Sequence, residues 1–154
     1  MEALPLFRSK EIDFYTFYEL EHIVLPVMPG ISAGFPSPAA DFIDTSIDLS
    51  KEIVKNPSTT FFGRVKGDSM KGAGIDDGDL MVVDKSLKCK TGDIAVCFID
   101  GEFTVKRIRI EKEACWLIAE NENYPPIKTT QDNDLVIWGI VISVIKFFTH
   151  VRTY

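Results

Sequence analysis

The sequence predicts a mostly-β fold, because short alternating apolar runs separated by turn signals fill the chain from residue 59 onward. The turn signals are IDDGD, KTGD and the pair Asp100-Gly101, and this pair is typical of a two-residue hairpin. Short strands at this density, with little helix between them, indicate a compact barrel or sandwich. The candidate strands are residues 59–65, 79–84, 93–99, 102–110, 115–120 and 135–148, the last bent near Gly139.

The N-terminal part of the chain has a different pattern. Residues 1–41 are expected to form an arm, because the apolar stretch DFYTFYELEHIVLPVM is irregular and runs into PGISAGFPSPAAD, where Gly and Pro interrupt any helix or ladder. A helix is predicted over residues 44–56, with loosely spaced apolar positions and Pro57 as its stop. Residues 42–154 are then expected to form the folded domain.

Composition restricts the possible partners. The chain has 154 residues, is 45% hydrophobic and carries a net charge of −6, so it has room for one domain with a core plus an arm. Nucleic-acid backbones are bound mainly by lysine and arginine displacing counterions. Direct binding to nucleic acid is therefore not expected, and any link to DNA is expected to pass through a partner.

The longest apolar runs, at residues 23–28 and 134–148, are shorter than the roughly 20 residues that cross a bilayer. The first is also a poor signal peptide, because Glu19 and Glu21 precede it where positive charge is expected. We therefore expect a cytoplasmic protein with no membrane contact.

Neither a metal nor a disulfide framework is predicted. The chain has an odd number of cysteines, and none of them shows the C-x-x-C spacing. This predicts free thiols in or near the core of a reduced protein, at Cys89, Cys97 and Cys115. The motif DDGD lacks the ligand series of a calcium loop and predicts a solvated turn, at Asp76, Asp77 and Asp79. No cofactor is expected.

A candidate nucleophile lies in the turn that follows the first predicted strand. Ser69 occupies a Gly-Asp-Ser-Met turn, but serine needs an activating base, and the chain has only two histidines, His22 and His150, near its ends. The turn on its own is also compatible with a plain loop.

A candidate base lies on the hairpin strand EFTVKRIRI. Side-chain alternation groups Lys106 with Thr104, Ile108 and Ile110 on one face. Poor solvation there would lower the lysine pKa from about 10.4, and a neutral amine can accept a serine proton without histidine. The strand alone leaves a second interpretation open, an edge lysine that extends its ammonium to water.

Taken together, the segments GDSMKGAGIDDGDLMVVD and GDIAVCFIDGEFTVKRI closely resemble the self-cleaving peptidase domain of LexA-type repressors and UmuD-type mutagenesis proteins. The segment AGFPSPAADFIDTSIDL is similar to the stretch that follows the cleaved bond in UmuD. The resemblance runs from about residue 34 to residue 146. It implies a compact domain of short, strongly bent antiparallel strands, although the arm looks longer than in UmuD.

The resemblance also implies roles for particular residues. Ser69 corresponds to the nucleophile and Lys106 to its base, and the cleaved bond maps to Ala33 and Gly34. Backbone N–H groups of Ser69 and Asp68 would then stabilise the oxyanion. The family's trigger is a RecA filament on single-stranded DNA, and its cleavage product acts as a homodimer with a UmuC-type translesion polymerase.

Two other hypotheses stay open from the sequence. The chain could be a non-catalytic interaction subunit in which Ser69 and Lys106 are relics. It could also be a signal-peptidase-like enzyme that cuts other proteins with the same pair, which the missing membrane anchor disfavours.

Overall fold

The computed structural model describes residues 7–15, 24–27, 45–130 and 133–148. Within these ranges it has one α-helix, α1 at Leu49–Ile53, and eleven strands. The strands are β1 (Phe7–Arg8), β2 (Ile12–Tyr15), β3 (Val24–Val27), β4 (Thr45–Asp48), β5 (Thr60–Val65), β6 (Leu80–Asp84), β7 (Ile94–Ile99), β8 (Glu102–Ile110), β9 (Cys115–Ile118), β10 (Ile127–Thr129) and β11 (Leu135–Ile145). The predicted mostly-β class is confirmed.

The chain divides into two compact units, residues 1–17 with 56–154, and residues 18–55. Nine strands of the first unit form one antiparallel sheet in the order β1-β2-β5-β6-β11-β7-β8-β9-β10. All six strands predicted from sequence are present in it, with bounds that differ by a few residues. The predicted domain boundary at residue 41 lies outside the described residues and stays a prediction.

The last strand, β11, is irregular where a bend was predicted. Its pairing with β7 changes register between Ile137 and Gly139, and its pairing with β6 changes register between Val141 and Ser143. A Cβ on Gly139 would lie 2.6 Å from Cγ1 of Val83, so a larger residue would require the Val83 side chain or the neighbouring backbone to shift. The glycine therefore permits close packing at the bend.

Two clusters of buried apolar side chains hold the sheet together. The larger one is formed by Ile12, Phe14, Val65, Met70, Ile75, Met81, Val83, Val96 and Val105. The smaller one is formed by Ala95, Cys97, Ile108, Leu117 and Ile140. Burial of these side chains supplies the main favourable term in folding. The free thiols predicted from sequence are also confirmed, with Cys97 buried and Cys89 and Cys115 partly exposed.

Part of the arm is ordered, which the sequence did not predict. Ile12–Tyr15, which lie in the expected arm and overlap the start of the stretch expected to be irregular, form β2 and pair antiparallel with β5. Ile12 is 0% exposed and Phe14 is 2% exposed. The ring of Phe14 lies 4.8 Å from those of Phe103 and Trp138, measured between centroids. A four-residue strand has too short an alternation to stand out, and its partner lies far along the chain.

The helix predicted over residues 44–56 is mostly wrong. Thr45–Asp48 form β4 and pair with β3, and the helix covers only Leu49–Ile53. Asp48 caps its N-terminus by accepting a 3.2 Å hydrogen bond from the backbone N–H of Lys51, and Val54 at its C-terminus is already extended. An N-cap residue has non-helical backbone angles itself, and Asp48 is extended, so the helix begins after it.

No helix within the described ranges is long and apolar enough to cross a bilayer. The expected cleavage residues, Ala33 and Gly34, lie outside the described residues.

Candidate active site

The candidate nucleophile lies in a turn at the end of β5. The turn begins at Gly67, whose φ of 89° is in the left-handed region that glycine adopts at little cost. The Gly67 amide donates a 2.7 Å hydrogen bond to Asp77. Met70, only 2% exposed, anchors the far end in the core and begins a 3₁₀ turn at Lys71–Ala73. Ser69, between these anchors, is partly exposed, as an attacking hydroxyl must be.

The candidate base is buried on β8. Lys106 is 5% exposed and lies opposite Ala95 of β7, so the interpretation as a solvated edge lysine is wrong. Its Nζ donates hydrogen bonds to Oγ1 of Thr104 at 2.6 Å and to the carbonyl of Val105 at 3.0 Å. Burial lowers the pKa of Lys106 below 10.5, and the nearby Glu11 carboxylate acts in the opposite direction.

The sheet brings the serine and the lysine together. Nζ of Lys106 lies 3.4 Å from Oγ of Ser69, within hydrogen-bond distance. The two residues are 37 positions apart in sequence. Ser69 lies in the turn after β5, and this turn reaches across to Lys106 on β8. A buried amine with a lowered pKa beside a partly exposed hydroxyl is the arrangement that serine activation without histidine requires.

Sequence reasoning missed Glu11. It precedes β2, and its Oε2 lies 3.7 Å from Nζ of Lys106. The same oxygen accepts a 2.7 Å hydrogen bond from the hydroxyl of Thr104. No signal in the sequence separates this carboxylate from the other acidic residues of the arm, because its position depends on β2 pairing with β5.

A second missed feature is the loop after β9, which packs beside the serine turn. Asn121 donates a 3.0 Å hydrogen bond to the backbone carbonyl of Asp68, and Tyr124 donates a 2.7 Å hydrogen bond to its carboxylate. The amide of Gly72 donates to the carbonyl of Glu120 at 2.8 Å. Residues 71–72 and 119–126 line an open depression at this place. The loop therefore fixes the position of the turn that carries Ser69.

The expected oxyanion donors, Asp68 and Ser69, belong to the turn after β5. Within the described part of the chain, the backbone N–H groups of Asp68 and Ser69 have no hydrogen-bond acceptor. Both amides are therefore available to an incoming carbonyl oxygen, and their role stays a prediction.

The acidic turn was predicted to be solvated, and this is correct for Asp76 and Asp77 but wrong for Asp79. Asp79 is 5% exposed, and its Oδ2 accepts hydrogen bonds from the Asp76 amide at 2.8 Å and from Nζ of Lys146 at 2.6 Å. Its contact with Lys146, which directly follows β11, joins distant parts of the chain and is not shown by local sequence. No cluster of three or more potential metal ligands occurs among the residues that the structure describes.

Comparison with known proteins shows which family the chain resembles. Residues 26–142 match the family described as Peptidase S24-like. Protein SamA of Salmonella typhimurium is 46% identical over 113 residues, covering 73% of this chain and 78% of SamA. Protein MucA of Salmonella typhimurium is 45% identical over 112 residues, covering 72% and 76%.

A more distant relative is the LexA repressor of Alcanivorax borkumensis, 38% identical over 122 residues, which cover 79% of this chain and 59% of the repressor. The resemblance found in the sequence is therefore confirmed. With the family match spanning well over half of its residues, the chain belongs to the peptidase S24-like family.

Proposed function

We propose that the protein is a self-cleaving serine peptidase in which Ser69 is the nucleophile, Lys106 is the general base, and Ala33-Gly34 is the cleaved bond. The observation that carries this proposal is the 3.4 Å separation of Nζ of Lys106 from Oγ of Ser69, together with the burial of the lysine. Membership of a peptidase family supports it.

In the acylation step, Oγ of Ser69 attacks the carbonyl carbon of Ala33 while neutral Lys106 takes the hydroxyl proton. Amides of Ser69 and Asp68 stabilise the oxyanion that forms. When the bond between Ala33 and Gly34 breaks, Lys106 returns the proton to the leaving amine. The result is an ester between Ser69 and Ala33 and a free amine at Gly34, with residues 1–33 still attached to the domain through that ester.

In the deacylation step, Lys106 takes a proton from water, and the resulting hydroxide attacks the ester carbonyl. The bond to Oγ then breaks, and the proton passes from Lys106 back to Ser69. The chain ends as two pieces, residues 1–33 and 34–154, and the dyad is restored.

Uninduced cleavage should be slow for two reasons. The arm must dock in the site, and Lys106 must be neutral when it does. The observed rate is therefore the rate of the competent state multiplied by the fraction of chains with a docked arm and by the fraction with a neutral Lys106. We propose that a RecA filament on single-stranded DNA raises this rate during the DNA-damage response. The product would act in the cytoplasm as a homodimer and as accessory subunit of a UmuC-type translesion polymerase. These steps rest on kinship with SamA, MucA and LexA repressor.

Intact-mass spectrometry tests the proposal. The wild-type chain is incubated at pH 7, at about pH 10, and at pH 7 with RecA, single-stranded DNA and nucleotide. Ser69→Ala and Lys106→Ala are the test variants, and Ser46→Ala and Lys128→Ala, both at exposed positions, are the matched controls. At about pH 10 and with the filament, we expect fragments ending at Ala33 and beginning at Gly34 from the wild type and the controls, and none from the test variants.

The same experiment separates the other hypotheses. A wild-type chain that stays whole under all three conditions would favour a non-catalytic interaction subunit. Fragments that persist in Ser69→Ala would show that another group performs the cleavage. Cutting of added secretory precursors, but not of the chain itself, would favour a signal-peptidase-like enzyme.

A further inference from the structure

Glu11 is the only carboxylate in contact with Lys106 among the residues that the structure describes. Its Oε2 lies 3.7 Å from Nζ, and the hydroxyl of Thr104 lies between them, donating to Glu11 at 2.7 Å and accepting from Lys106 at 2.6 Å. The candidate base is thus connected on one side to its serine and on the other to an acid from the arm.

The backbone holds Glu11 in this place. Its carbonyl accepts a 2.7 Å hydrogen bond from the amide of Lys66, which continues the pairing of β2 with β5. The next residue, Ile12, is 0% exposed and anchors the strand in the core. The Glu11 side chain itself is 38% exposed, so it can turn outward to water without disturbing that anchor.

We propose that Glu11 is a positioning residue that holds the Lys106 amine in its ammonium form and so restrains self-cleavage. This inference rests on the proposed function. An ammonium cannot accept the serine proton, and a carboxylate at this distance favours the ammonium over the neutral amine. Relief comes when the carboxylate turns away or the N-terminal segment leaves β5.

The other groups that face Lys106 do not supply this charge. Ser69 and Thr104 are neutral hydroxyls. Cys97, on the neighbouring strand β7, has a pKa that burial raises to about 12, so its thiol is neutral at working pH. Glu11 is therefore the group whose removal should change the charge of Lys106.

Glu11 also lies on the N-terminal side of Ala33. Cleavage at the expected bond would separate it covalently from the domain that holds the dyad. The restraint would then act in the intact chain and become reversible in the product, where residues 1–33 can dissociate.

The test compares Glu11→Gln with the wild type in the full chain, measuring the first-order rate of self-cleavage from pH 6 to pH 11. An opposite charge at this distance shifts a pKa by about one unit or more, and the partial exposure of Glu11 favours the lower figure. We expect the rising limb of the profile to move about one pH unit lower, with about tenfold faster cleavage near neutral pH and an unchanged alkaline plateau.

Asp13→Asn is the matched control. It removes the same charge two residues away, from a carboxylate that accepts a 2.7 Å hydrogen bond from Lys66 and does not contact Lys106. Its profile should keep the wild-type midpoint. Two results would overturn the inference. One is a pH–rate profile of Glu11→Gln whose midpoint stays or rises. The other is a lower alkaline plateau with the wild-type midpoint, because Glu11 would then be structural.

A second measurement does not depend on cleavage. In the Ser69→Ala background, the ¹³Cε resonance of Lys106 is titrated with and without Glu11→Gln. A midpoint that falls by about one unit supports the inference, and an unchanged midpoint overturns it. If the wild-type chain never cleaves itself, the proposed function fails, while this titration still decides whether Glu11 sets the charge of Lys106.

Discussion

The hydroxyl of Tyr124 donates a 2.7 Å hydrogen bond to the carboxylate of Asp68, the residue directly before the candidate nucleophile. The interaction joins the loop after β9 to the turn after β5, and it raises the pKa of Tyr124 above 10.0. Asn121 reinforces it by donating to the carbonyl of Asp68. Because the Asp68 amide is a proposed oxyanion donor, this loop controls the geometry of the proposed site from outside the sheet.

The first prediction concerns this contact. Tyr124→Phe removes the hydroxyl but keeps the ring, so the fold should be kept while the turn becomes less constrained. We expect self-cleavage at pH 10 to slow by roughly three- to tenfold, the usual effect of one lost hydrogen bond. Rates come from intact-mass time courses, with Tyr15→Phe as the control. A rate equal to the wild type would show that the contact does not position the turn.

The second prediction concerns the anchor of the N-terminal strand. Phe14 is 2% exposed and packs against Phe103 and Trp138, so Phe14→Ala leaves a cavity in the core. We expect a loss of about 3–5 kcal/mol in the free energy of unfolding, measured by urea denaturation. Phe148, which is 92% exposed, provides the control, and Phe148→Ala should cost less than about 0.5 kcal/mol. A loss below about 1 kcal/mol for Phe14→Ala would contradict the packing described here.

The third prediction concerns stability in acid. Burial raises the pKa of Asp84, but hydrogen bonds from Asn56, Ser86 and Thr59 outweigh it and lower the pKa from 3.8 to about 2. A lowered folded-state pKa contributes stability that is complete above the unfolded pKa of about 3.9. This contribution, about 2 kcal/mol, is lost as pH falls from about 4 to about 2.

The comparison is between unfolding of the Ser69→Ala chain and of Ser69→Ala with Asp84→Asn, at pH 7 and at pH 3. Asp84→Asn should lower stability at pH 7 and flatten the loss toward pH 3. Asp134→Asn, at an exposed position, is the control and should leave both values near the parent. An unchanged slope in Asp84→Asn would show that other groups govern acid unfolding.

The fourth prediction concerns thiol reactivity. Burial raises the pKa of Cys97 to about 12, and the side chain is 0% exposed, so little thiolate forms and reagent cannot reach it. With iodoacetamide at pH 8, Cys97 in the native chain should react at least about a hundredfold more slowly than in urea. Peptide mapping measures the labelling rate of each cysteine. Labelling of Cys97 as fast as that of the partly exposed Cys89 would contradict the prediction.

Much of the sheet could be predicted from local pattern. Strands β5 to β8 and β11 have five or more residues, β9 begins the longer apolar run CWLIAE, and the hairpin between β7 and β8 is marked by Asp100-Gly101. Strand β2 and strand β10 have only four and three residues. Pairing stabilises both strands more than their own propensity does, β2 through the distant β5 and β10 through β9, which explains why the sequence did not reveal them.

The candidate site also combines features that local sequence shows with features that depend on distant parts of the chain. The motifs that carry Ser69 in its turn and Lys106 on a face with Ile108 are visible in the sequence, because both depend on neighbours a few positions away. The burial of Lys106, its distance to Ser69 and the approach of Glu11 to the same amine are visible only in the folded chain. Those relationships depend on the order of strands in the sheet, which joins residues from opposite ends of the domain and which local alternation does not encode.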